Sequence, residues 1–345
     1  MSFASVQNSF KTSRAYTSQT HFELAQPISS HTMKPSLALR AGLVVSILLT
    51  AANACNQTTP AIPRLVIYFQ STHDANGHPV SLLPLLTPPT SVTHVILSAL
   101  HVNENGTIHL NDHLPGDPVF STLWSDVANL RQAGVKIMAM VGGAAAGSFA
   151  VSTLDGDQAA FQKHYSQLER VVRTYDLEGL DLDVEQNMSQ QGIARLVKQL
   201  RQDFGPEFLI TLAPVASALL DGANLSGFDY DILEGSLGSD IAFYNVQFYN
   251  GFGSMSSPSD YRIIANKLDP FKVVAGLLTS QSKGTGWVPF AELSQTVRSL
   301  RDEYSGFGGV AGWEYSDSLP GGQEQPWKWA QHISEVLHPH GVAII

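Results

Sequence analysis

The stretch Glu178-Gly179-Leu180-Asp181-Leu182-Asp183-Val184-Glu185-Gln186 decides how the chain reads. Asp181, Asp183 and Glu185 fall at every second position, separated by Leu180, Leu182 and Val184. Successive side chains on a β-strand point to opposite faces, so the three carboxylates share one face and the aliphatic residues take the other. Along an extended strand each pair lies roughly 6.5 Å apart, close enough to couple electrostatically. Buried acids cost folding energy unless they share protons and hydrogen bonds. A solvated sheet edge would carry mixed charge on its polar face, whereas here that face is purely acidic and the opposite one purely aliphatic. The row therefore reads as working chemistry on the inside of a buried strand.

Around it, short apolar runs alternate with amphipathic stretches. The runs are 64–69, 94–100, 136–141, 179–185, 208–213, 241–249, 273–277 and 310–313. The periodicity predicts helices near 118–133, 157–175, 188–203, 228–236, 258–268, 289–303 and 325–337. Eight near-continuous hydrophobic strands with helical crossovers predict an α/β fold, a single-domain parallel (β/α)8 TIM barrel spanning 55–345. An open doubly wound sheet alternates similarly, but no GxGxxG or GxxxxGKS follows an early strand. In such a barrel the active site lies at the C-terminal ends of the strands. Glu185 is last in its row. Gln247, Tyr249 and Asn250 end another strand, Trp313 ends the last, Tyr68 ends the first, and Gly142 and Gly143 follow the third.

Composition narrows the partners. Of 20 bases and 30 acids, residues 1–54 hold Lys11, Arg14, Lys34, Arg40 and Glu23, so the remainder carries 16 bases and 29 acids. Such a surface repels nucleic acid and anionic membrane. The single Cys55 excludes an intramolecular disulfide and a thiolate zinc site. His332, Glu335 and His338 lie near helical spacing, and a solvated face explains them better than a metal. No cofactor is indicated, and no oligomer interface, so a monomer is expected. From Met33 a basic start, an apolar run and Ala52-Asn53-Ala54 form a secretory signal peptide, which makes 1–54 a leader and the protein secreted. The run is too short for a stable membrane span. Residues 1–22 lack acids, which leaves a transit peptide or a signal anchor as the alternative. Asn-x-Ser/Thr sequons at Asn56, Asn105, Asn187 and Asn224 are consistent with a secretory route to a glycoprotein.

The residues 178–185 resemble DGxDxDxE, the strand-four pattern of glycoside hydrolase family 18, the chitinase and endo-β-N-acetylglucosaminidase family. Gln247-Phe248-Tyr249-Asn250 resembles the QxYN variant found in its plant and fungal class III branch. Met140-Val141-Gly142-Gly143 resembles the family's SxGG, and Trp313 its strand-eight tryptophan. The resemblance spans about 64–335. Glu178 replaces the leading Asp at the buried start of the strand, where a structural role is expected. Met140 replaces a Ser whose hydroxyl often supports the strand-four acids.

The resemblance implies retaining, substrate-assisted hydrolysis of β-1,4-linked N-acetylglucosamine in chitin or its oligomers, a chitinase activity in carbohydrate metabolism. It makes Glu185 the acid, Asp183 the orienter of the 2-acetamido group, and Asp181 its proton-sharing partner. Tyr249 would bond the acetamide oxygen, Trp313 would floor the sugar, and Gln247 and Asn250 would make polar contacts around it. Other readings stay open for several of these. Tyr249 could bond locally, Trp313 could fill core, and Asn250 precedes Gly251 as a turn residue would. Tyr68 lines the groove or fills core, and Gly142 and Gly143 serve backbone packing before substrate contact. The same motif also fits an endo-β-N-acetylglucosaminidase cutting the chitobiose core of N-glycans. A non-catalytic lectin or inhibitor on this barrel is the third reading, and such proteins usually lose the last Glu or a neighbouring Asp.

Overall fold

Eight strands pair side by side, all parallel, and the last returns to the first. They are β1 (Arg64–Phe69), β2 (His94–Val102), β4 (Lys136–Gly142), β5 (Gly179–Asp183), β6 (Leu209–Leu212), β7 (Phe243–Gln247), β8 (Val273–Leu278) and β9 (Gly309–Trp313). Pairings β1–β2 and β1–β9 close the circle, so the chain forms the expected (β/α)8 barrel. This is a computed structural model, and it describes residues 63–87 and 90–339. The leader at 1–54, Cys55 and the sequon at Asn56 lie outside the described residues.

A short strand, β3 (Ile108–Leu110), pairs antiparallel with the end of β2 and is, among the described residues, the one strand outside the circle. The helices are α1 (Ser121–Gln132), α2 (Gln158–Thr174), α3 (Gln190–Phe204), α4 (Ala216–Leu219), α5 (Tyr230–Leu237), α6 (Ser259–Ala265), α7 (Phe290–Glu303) and α8 (Trp327–Leu337). The starts of α2, α3 and α5 follow side-chain chemistry. Asp157 accepts from the amides of Ala159 and Ala160 at the start of α2, and Ser189 accepts from Gly192 at the start of α3.

Strand parity divides the core. Outward residues such as Leu65, Ile67, Leu180 and Leu182 join the large apolar layer beneath the helices. Inward residues Val66, Ile96, Met138, Phe243, Val274 and Ala311 form a separate cluster that fills the barrel's lower half. The interior is therefore packed, and only its upper end can hold a ligand.

Several expected strands prove shorter. The run 179–185 is strand only to Asp183, so Glu185 stands beyond the ladder. Its neighbours explain this: β4 turns away at Gly142 and Gly143, both at positive φ, and β6 ends at Leu212. With no partner on either side, residues 184–185 cannot continue the sheet. Likewise 241–249 is strand only over Phe243–Gln247 and 208–213 only over Leu209–Leu212. Glu178, expected to be structural, accepts from the Ile137 amide and from Lys136 Nζ at 2.7 Å, tying β4 to β5 at the barrel's lower rim.

Candidate active site

Asp181 is completely buried, and three neighbouring side chains satisfy it. Tyr68 donates its hydroxyl at 2.7 Å, Thr211 donates to the other oxygen at 2.5 Å, and Asn245 donates its amide at 3.0 Å. These partners come from β1, β6 and β7, so the carboxylate pins three strands across the barrel. Burial pushes the Asp181 carboxyl above the usual aspartate range, while those hydrogen bonds pull it back. Removing the hydroxyl at position 140 has not orphaned the acid, because Thr211 and Tyr68 supply hydroxyls instead.

Two residues further along β5, Asp183 is 5% exposed. Gln247 Nε2 donates to Asp183 at 3.1 Å, to Glu185 at 3.3 Å and to the Ala213 carbonyl at 2.9 Å. One amide thus gathers both upper acids. Burial, then the negative charges of Glu185 and Asp181, push the Asp183 carboxyl well above its ordinary range. A carboxyl in that position holds a proton against its acidic neighbours. None of the ion pairs among the described residues includes Asp181, Asp183 or Glu185, so no cation relieves the row.

Glu185 is half-buried and lines a cavity of about 250 Å³ at the upper end of the barrel. Asp183, Gln247, Tyr249, Asn250, Gly142, Gly143 and Trp313 share its wall. Tyr249 is 9% exposed, and burial followed by the charges of the three acids pushes its hydroxyl well up, so it stays a neutral donor. Trp313 stands edge-on to Tyr68, ring centroids 5.5 Å apart. Tyr68 itself is spent on Asp181 beneath the cavity.

Three residues serve packing as well as the wall. At Gly142 an added Cβ would lie 2.4 Å from Phe149 and 2.5 Å from the Asp183 carbonyl, so only glycine lets β4 end against β5. Gly143 donates its amide to that same carbonyl. Asn250 takes a left-handed φ of 55°, and its side-chain oxygen accepts from the Thr285 amide at 2.9 Å. It therefore braces the loop after β8 from the cavity rim.

Four neighbours went unread as site residues. Thr211 and Asn245 were visible as polar residues on inward parity of otherwise apolar strands. Gln70 and His101 line the cavity and also a second polar hollow of about 460 Å³ beside it. Nothing in local sequence marks them.

A family model for glycosyl hydrolases family 18 matches residues 64–273, well over half of the chain. The chain belongs to that family. A family 18 fungal endo-β-N-acetylglucosaminidase of known structure is 54% identical, with 81% of this chain and 99% of that one covered and a TM-score of 0.79. A chitinase from Aspergillus fumigatus is 46% identical, covering 80% and 100%, with a TM-score of 0.73. Chitinase 2 of Rhizopus oligosporus is 27% identical over 81% of this chain and 54% of its own length. The chain thus spans about half the length of the curated relatives it matches. Within family 18, the acid row and its amide bridge occupy the expected end of the barrel.

Proposed function

We propose that this family 18 protein is a retaining glycoside hydrolase that cleaves β-1,4 bonds of N-acetylglucosamine with help from the substrate's own 2-acetamido group. Glu185 gives its proton to the glycosidic oxygen as the C1–O bond breaks. The acetamide oxygen closes on C1, forming an oxazolinium ion. Asp183 turns to the acetamide N–H, orients it and offsets the developing positive charge, with Asp181 sharing its proton behind. Water then attacks C1, breaking the bond from C1 to the acetamide oxygen and passing its proton to Glu185, which restores both the acetamide and the acid. Tyr249 donates to the acetamide oxygen, Gln247 holds the acids in place, and Trp313 floors the ring. The observation that carries this reading is the bridge from Gln247 to Asp183 and Glu185.

Two contexts offer the same bond. Chitin oligosaccharides are the first. The chitobiose core of N-glycans is the second, and one observation favours it. The relative described as a fungal endo-β-N-acetylglucosaminidase is 54% identical over nearly its whole length. A non-catalytic lectin role has less support, since Glu185, Asp183 and Tyr249 all remain. The leader read from Met33 supports secretion, and no helix among the described residues is long and apolar enough to cross a membrane.

The test offers residues 55–345 an N-acetylchitooligosaccharide aryl glycoside and a high-mannose glycopeptide side by side. Release from at least one, and inhibition by a thiazoline analogue of N-acetylglucosamine, is expected. Efficient cleavage of cellooligosaccharides, which lack the acetamide, would reject substrate assistance.

A further inference from the structure

The loops after β1, β8 and β9 meet at a carboxylate that the reaction does not use. Glu314 follows Trp313 and is completely buried. Its oxygens accept from the amides of Gln70 at 3.2 Å and Ser71 at 3.4 Å, from the Ser316 hydroxyl at 2.6 Å and from the Ser316 amide at 3.3 Å. Lys283, from the loop after β8, completes the set at 2.8 Å. Lys283 also reaches Asp317 at 3.1 Å, and Ser282 donates to Asp317 at 2.7 Å. The Glu314 carbonyl in turn accepts from Thr279 at 2.7 Å and from Ser318 at 3.0 Å.

What this knot holds is one side of the sugar cavity. Gln70 has its amide fixed by Glu314 and its carbonyl by Asn111 at 3.0 Å, while Asn111 accepts from the Ala99 amide on β2. With its backbone pinned from both sides, Gln70 presents its side chain on the wall that the cavity shares with the neighbouring hollow. Trp313 is covalently next to Glu314 and rests against Tyr68. Glu314 does not itself line the cavity, and its oxygens are filled, so it cannot act on substrate. An apolar residue could fill the same volume at lower desolvation cost. Only an anion gives backbone amides from one loop and a cation from another a common point.

We propose that Glu314, with Lys283 as its counter-ion, is a positioning residue that fixes Gln70 and Trp313 as the sugar-binding wall. The inference deepens the proposed function and rests on the cavity being the sugar site. Removing the ion pair frees the wall while leaving Glu185, Asp183 and Gln247 undisturbed, so binding weakens and chemistry does not.

The measurement is calorimetric titration of N,N′,N″-triacetylchitotriose into Glu185→Gln protein, with and without Glu314→Gln. About tenfold weaker binding is expected with the second change. In the otherwise native enzyme, Glu314→Gln should raise KM about tenfold with kcat within about threefold. Lys283→Arg, which keeps the cation, should restore nothing because it loses nothing, whereas Lys283→Met should reproduce the KM effect. The Lys283 pair keeps the test alive should Glu314→Gln fail to fold. Equal titration curves, or a fall in kcat at constant KM, would overturn the proposal. A Glu185→Gln enzyme with undiminished turnover would overturn the catalytic reading instead, since the titration reads binding alone.

Discussion

Asp183, at the end of β5, and Glu314, just beyond β9, are both buried carboxylates at the upper end of one barrel, yet their surroundings push their protons in opposite directions. Asp183 faces Asp181 and Glu185 with a single amide, Gln247, between them, and it holds its proton far above the ordinary range. Burial alone would push Glu314 up too, but Lys283, Ser316 and Ser71 together hold its carboxyl below the ordinary range. Depth is the same, so depth does not decide. The presence of a cation and of converging donors does. A carboxyl kept protonated among acids can exchange a proton during a reaction, whereas one saturated by donors can only hold loops. The mouth of the barrel is thus divided into a reactive sector over β5–β7 and a bracing sector over β8, β9 and β1.

The largest effect should come from the reactive sector. Glu185→Gln keeps the shape and the contact with Gln247 but has no proton to give, and aryl glycoside release should fall by about 10²–10⁴ in kcat. Undiminished release would break the division, because the acid would have to be elsewhere. Next comes Asp183→Asn, which removes the carboxyl that faces the acetamide and becomes charged when its proton passes to Asp181. A loss of about 10²–10³ in kcat is expected, with KM little changed. A rise in KM alone would move Asp183 from chemistry to binding.

The two sectors were unequally legible in the sequence. The acid row announced itself because a period of two with aliphatic partners has one simple structural meaning. The extent of β5 did not, since a strand ends where its neighbours leave, and β4 leaves at Gly142 through contacts with Phe149. The β2–β3 hairpin carries a turn signal at Asn105-Gly106, but three residues of β3 are too short to stand out in an apolar pattern. Asn250 was read as a substrate contact from its motif, and its bracing of Thr285 depends on a partner 35 positions away. In the bracing sector Trp313 was legible as a strand-end aromatic, but the knot behind it was not. Glu314 and Lys283 are 31 positions apart, each looks like a surface charge, and only the closed barrel makes them one unit.

Stability against pH separates the sectors a second way, with a smaller effect. The proton affinity of Glu314 is lowered on folding, so the stabilisation it gives is present above the unfolded-state glutamate pKa of about 4.3 and fades as pH falls through the lower folded value. Glu314→Gln should therefore cost about 2–3 kcal/mol at neutral pH and progressively less in acid. Asp183 runs the other way. Its affinity is raised on folding, so its favourable contribution is complete below the unfolded aspartate pKa of about 3.9 and is lost as pH rises toward the folded value. Asp183→Asn should match the parent in acid and unfold at a higher temperature than it at neutral pH. Thermal melts of the three proteins from pH 3 upward should give difference curves of opposite sign; two curves of the same sign would mean that the cation at Lys283 does not distinguish the sites.

The smallest effect tests the floor beneath the reactive sector. Tyr68→Phe removes one of three donors to Asp181 and leaves the ring that packs against Trp313, so the cavity wall keeps its shape. The remaining donors, Thr211 and Asn245, both reach the same oxygen, and the oxygen that Tyr68 served is left bare in a fully buried position. Stability measured by denaturant titration should drop by about 1–2 kcal/mol. The change should also raise the proton affinity of Asp181, because one of the bonds favouring its charged form is gone. A proton held more firmly on Asp181 is less available to share with Asp183, so the acidic limb of the pH–kcat profile should shift to higher pH while KM stays constant. A shift in KM with an unmoved limb would place Tyr68 in the bracing sector with Trp313, and the boundary between the sectors would then run beside β1 rather than through it.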